Sequence, residues 1–78
     1  MTIDDRIKNT MSAILGVPVS QITEDSSPDN LPQWDSINAI NLCLGIEEEF
    51  ETQLTDSEIA EMKTFALIKQ TLISKGVE

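Results

Sequence analysis

Apolar side chains recur along this chain at helical intervals and nowhere sustain the two-residue alternation of a strand, which restricts the fold to packed helices. From Ile3 they fall at Ile7, Met11, Ile14 and Leu15, all on one stripe. Thr2 can cap the start, and Gly16 closely followed by Pro18 stops it, so a first helix is predicted over residues 3–15. A second pattern, Ile37, Ile40, Leu42, Cys43, Leu44, Ile46 and Phe50, opens at Asp35 or Ser36, either of which can serve as N-cap. It is apolar around much of its girth, so this helix buries more than one face or offers one to a partner. Thr55-Asp56-Ser57-Glu58 has the form of a capping box and predicts a short third helix over about residues 56–62. Thr64 can cap a fourth, with Phe65, Ile68 and Leu72 on one face, running to about Ser74 before Gly76 lets the chain stop.

Residues 17–35 hold all three prolines and read as a long loop. Connections beyond about 12–15 residues are uncommon in compact domains unless they are functional or pinned by their own side chains. Ile22 and Leu31 are the expected pins, with a short helical turn around Ser20 to Ile22. The fold class is therefore all-α: a four-helix bundle, the third helix short, with a long loop between helices one and two. The 78 residues are expected to form a single domain, close to the smallest size at which a core holds without disulfide or metal.

Composition removes whole classes of chemistry. With no His, no Tyr and a lone Cys43, the chain lacks the parts of a Ser/His/Asp triad, a Cys/His pair or a thiolate zinc site. Fourteen acidic residues against five basic ones give a net charge of −9, which repels nucleic acid and anionic membrane and attracts basic protein surfaces. No stretch approaches the about 20 apolar residues of a membrane span, and the charged Asp4-Asp5-Arg6 does not resemble a secretory leader. The expectation is a cytoplasmic, monomeric protein with basic protein partners.

Ser36 stands at the mouth of the second helix, where free backbone N–H groups and the positive end of the dipole would stabilise a phosphate ester. On the tripeptide alone, a serine there serves as a helix cap more often than as an attachment point. Asp25, Ser27 and Asp29 have the one, three, five spacing of a calcium loop. Asn30 replaces the required glycine, Pro28 and Pro32 interrupt the loop, and Ser36 stands where the bidentate Glu belongs, so no metal site is expected.

Trp34-Asp35-Ser36-Ile37, then Leu42, Ile46-Glu47-Glu48-Glu49-Phe50-Glu51, Leu54, Asp56 and Thr64-Phe65, together resemble the acyl carrier protein family over essentially the whole chain. The resemblance implies a bundle of acyl-carrier type in which Ser36, flanked by Asp35 and Ile37, receives a covalent 4'-phosphopantetheine arm derived from coenzyme A. It implies as partners a phosphopantetheinyl transferase, an acyl-loading ligase or transferase, and synthase enzymes with basic docking patches. Ile37, Leu44, Glu47 and Glu48 match family positions where helix two meets partners. Leu42, Cys43, Ile46, Leu54, Ile59, Met62, Ala66 and Ile68 match positions lining the interior between helices two, three and four, where an acyl chain can be held. Simple core packing accounts for those eight equally well, and a solvated acidic face accounts for Glu47 and Glu48.

Three departures bear on pathway. Trp34 stands where the family often has a small residue, which points towards a specialised biosynthetic pathway, and Asn38 and Asn41 stand where acidic side chains are common. On this reading the chain is not an enzyme; reactivity belongs to the arm and to partner enzymes of fatty acid or polyketide type. The competing reading is an acidic helical interaction module, never modified, whose second helix enters a partner's groove.

Overall fold

Each helix begins where a short polar side chain takes over an orphan backbone donor. The computed structural model describes residues 2–76. Thr2 and Thr55 form reciprocal capping boxes with Asp5 and Glu58 at the starts of α1 (Ile3–Leu15) and α3 (Asp56–Glu61). Asp35 caps α2 (Ser36–Phe50) and Thr64 caps α4 (Phe65–Ser74). A 3-10 turn, Val19–Gln21, lies in the long connection, one residue before the turn expected there. Two of the helix ends use left-handed residues: Gly16 after α1, at φ 72°, and Glu51 after α2, at φ 50°. The four helices are those the periodicity predicts, and no strand occurs among the described residues.

The core is built by α1, α2 and α4, with the long connection as a fourth contributor. Ile7, Met11 and Leu15 meet Leu42, Cys43, Ile46 and Phe50, and Phe65, Ile68 and Leu72 close the third side. α1 and α2 approach closely at Gly45, where a Cβ would lie 3.2 Å from Thr10 Cγ2 and 3.3 Å from Ile14 Cγ1. The loop sends Val17, Ile22, Leu31 and Trp34 into the same core, so two further residues join the two expected pins. Ser26 is buried with them. Its Oγ accepts from Thr23 N–H at 2.8 Å, and its carbonyl accepts the Phe65 N–H at 3.0 Å, which satisfies a donor at the start of α4.

Three ion pairs tie the helices together at the surface: Arg6 with Glu49 (α1 to α2, 3.0 Å), Asp4 with Lys69 (α1 to α4, 2.8 Å) and Glu58 with Lys75 (α3 to the end of α4, 3.0 Å). Arg6 also lies 4.4 Å from the centroid of the Phe50 ring. α3 is held differently from the rest, since none of its own residues is buried. Leu54 and Met62, just outside its two ends, carry the apolar anchoring.

Candidate functional site

The turn entering α2 assigns a separate task to each residue around Ser36. Trp34 is buried and donates its N–H to Leu31 O at 2.9 Å, which fixes the approach of the chain. Asp35 is extended, at φ −96° and ψ −177°, and its Oδ1 accepts from Asn38 N–H at 2.8 Å. The Asn38 amide in turn donates to Gln33 O at 2.7 Å. Capping is thus done by Asp35, which settles the alternative left open by the sequence. Ser36 is the first helical residue, exposed, and its hydroxyl makes no hydrogen bond among the described residues.

Chemically, this leaves a primary hydroxyl in solvent beside the unpaired N–H groups of a fifteen-residue helix. A phosphate esterified there is favoured electrostatically by the helix end. Ser36 therefore fits a phosphodiester-linked group. Ile37 follows at 72 % exposure.

α2 separates its apolar residues into two sets. Leu42, Cys43, Ile46 and Phe50 face the core, whereas Ile37, Ile40 and Leu44 are all more than half exposed. Ile40 belongs with the two expected docking residues although sequence reasoning assigned it only to the general apolar pattern; its three- and four-residue spacing to Ile37 and Leu44 was the signal. Glu48 is exposed on the same side. Glu47 departs from the expected outward placement: it is half-buried, and its Oε2 accepts from Leu54 N–H at 2.8 Å.

Of the eight interior candidates, Leu42, Cys43, Ile46, Leu54, Met62 and Ile68 are in the core. Ile59 and Ala66 are not. Ile59 is 38 % exposed on α3, a helix that buries none of its own residues and is anchored by Leu54 and Met62 beyond its ends, and Ala66 points to solvent on α4, whose inward positions are taken by Phe65, Ile68 and Leu72. Ile59 instead lines, with Met62, Trp34 and Ala39, a cleft of about 400 Å³ beside the first turns of α2. Burial, and secondarily the Glu47 charge, push the Cys43 thiol up, which suits a packing residue and not a nucleophile. Around Asp25 the carbonyl accepts the Asn30 amide at 2.8 Å, and no group of three or more metal-ligating side chains occurs among the described residues.

Residues 5–72 match the family model of the phosphopantetheine attachment site. A match of that extent defines the class, a carrier domain on which 4'-phosphopantetheine is covalently held; the chain belongs to the phosphopantetheine-attachment family, as its likeness to acyl carrier proteins implied. Carrier domains of this kind are not enzymes themselves, and they work by meeting modifying and synthase enzymes. Among the described residues, no helix is long and apolar enough to cross a membrane.

Proposed function

We propose that Ser36 is the residue that carries the arm and that the chain delivers acyl intermediates between the enzymes of a specialised biosynthetic pathway, acting as a single carrier domain, a monomer, in the cytoplasm. The observation that carries this reading is the free, exposed Ser36 hydroxyl at the start of α2, with the capping role already filled by Asp35. In the attachment step the Ser36 Oγ–P bond forms, the bond from that phosphorus to the nucleotide part of coenzyme A breaks, and the hydroxyl proton passes to the transferase. The arm supplies a thiol on which acyl groups ride as thioesters.

The rest of the chain positions and presents. Trp34 and the Asn38 amide hold the turn so that Ser36 stays at the helix mouth. Ile37 and Leu44 offer apolar contact beside it, and the carboxylates of the last turns attract the Arg and Lys side chains of basic partners, an effect expressed mainly in association rate. The cleft between Trp34, Ala39, Ile59 and Met62 lies within reach of cargo leaving Ser36, while Leu42, Cys43, Ile46, Leu54 and Ile68 form the interior behind it.

Incubation with coenzyme A and a broad-specificity phosphopantetheinyl transferase tests the reading. The wild type gains the mass of one arm and Ser36→Ala gains none. A folded wild type that gains nothing with several transferases would leave α2 as an unmodified docking helix and overturn the assignment.

A further inference from the structure

Trp34 is 3 % exposed, yet its indole N–H donates to no acceptor among the described residues. The backbone N–H of the same residue is taken by Leu31 O; the side-chain donor is not. Nor is that donor sealed inside the core: Nε1 keeps contact with solvent, and the opening Trp34 lines is the cleft of about 400 Å³ beside the first turns of α2. Buried polar groups in folded proteins are paired, so an N–H left unpaired and turned into a cleft marks a place where a ligand brings the acceptor.

The rest of the cleft is mostly apolar. Pro28, Ala39, Ile59 and Met62 line it together with the indole ring. The two hydroxyl oxygens on its wall already serve the fold: Ser27 Oγ accepts from Asp29 N–H at 3.2 Å, and Thr64 Oγ accepts from Leu67 N–H at 3.1 Å. One free N–H in an apolar wall fits a carbon chain that carries an oxygen, with the carbons buried against the wall and the oxygen accepting from Trp34. The α3 side can give way to such a chain, since α3 buries none of its own residues and Met62 is unbranched and adaptable. The pantetheine arm fits less well, because its amides would exchange water for an apolar wall with a single donor.

We propose that Trp34 is a specificity-determining residue for the cargo: the cleft takes acyl chains that carry a carbonyl or hydroxyl oxygen in preference to plain hydrocarbon chains, and the indole N–H is the donor that reads the oxygen. Selection works through a penalty as well as a bond. A saturated chain in the cleft covers the N–H and leaves it unpaired, whereas an oxygenated chain pairs it. The inference deepens the carrier reading and rests on Ser36 holding the arm.

Trp34 is the sole tryptophan, so a single indole resonance reports the site. Nitrogen-15-labelled protein is loaded by a broad-specificity phosphopantetheinyl transferase from coenzyme A and from its octanoyl, 3-hydroxyoctanoyl and 7-oxooctanoyl thioesters, the last two placing an oxygen near either end of the same chain. An oxygenated chain is expected to move the indole N–H downfield and to slow its exchange with solvent about two- to tenfold relative to octanoyl, while the unloaded arm leaves it as in the unmodified protein. The oxygenated form is also expected to melt above the octanoyl form, and Trp34→Phe, which keeps an aromatic ring and removes the N–H, to bring the two melting points together. An indole that responds equally to octanoyl, or to none of the chains, overturns the inference with the Ser36 reading intact. So does a response already complete with the unloaded arm, which would make an arm amide the acceptor. A folded wild type that accepts no arm overturns both.

Discussion

The long connection before α2 and the helix α3 invert the usual relation between regularity and anchoring. The connection has only one short 3-10 turn, yet Val17, Ile22, Ser26, Leu31 and Trp34 are buried and its Ser26 carbonyl is bonded to α4. α3 is a regular helix with a complete capping box, yet it buries none of its six residues. Local hydrogen bonding explains why α3 is helical; it does not attach α3 to anything. Attachment comes from apolar burial, and that sits in the loop. The two segments meet at the cleft beside α2, so one wall is rigid core and the other is held by Leu54, Met62, Glu47 and the Glu58–Lys75 pair.

The comparison breaks most easily at Trp34. Trp34→Ala should cost about 3–5 kcal/mol in denaturant unfolding, the usual range for emptying a buried aromatic site, and should unfold the whole protein cooperatively. A loss of under about 1 kcal/mol would show that the loop is not part of the core. Thr55→Ala should cost about 1 kcal/mol, with amide exchange rising first in α3 and the Phe65 N–H retaining its protection through Ser26. Smaller still, Ile59→Ala should shift stability by about 0.5 kcal/mol or less, since its side chain is partly solvated already.

Acid distinguishes the two segments without mutation. The Thr55 N–H first, and then Lys75, hold the Glu58 carboxyl below its ordinary range. A carboxyl depressed in the folded state contributes stability that is complete above its unfolded pKa and is lost as pH falls through the folded value. Below about pH 4, therefore, α3 amides should lose exchange protection before those of the loop, which is pinned by uncharged groups. Simultaneous loss in both would place the two segments in one cooperative unit.

Much of the fold was legible because α1 carries one narrow apolar stripe, and because Thr2, Thr55 and Thr64 announce helix starts by local chemistry. α2 was harder to read. With apolar residues around most of its girth, periodicity alone does not say that Leu42 and Ile46 go inward while Ile40 and Leu44 stay out; that is decided by where α1 and α4 pack. The same applies to Ile59 and Ala66, matched to interior positions but left outside by their helices' orientation. Ser36 was identified as the attachment candidate from its motif, but the reason its hydroxyl is free, the cap supplied by Asp35, required the backbone geometry. Glu47 and Glu48 are neighbours in sequence with nothing to separate them until Leu54 N–H is placed against one of them.

The central claim concerns one oxygen atom, and the direct measurement is localisation of the arm. The protein is incubated with coenzyme A and a transferase, cleaved after glutamate, and the peptide spanning residues 25–47 is fragmented. The account predicts the phosphopantetheine mass on Ser36 alone, with Ser26 and Ser27 of the same peptide unmodified. Its appearance on any other serine, or on none with the protein folded, would contradict the assignment of Ser36 and the docking face built around it.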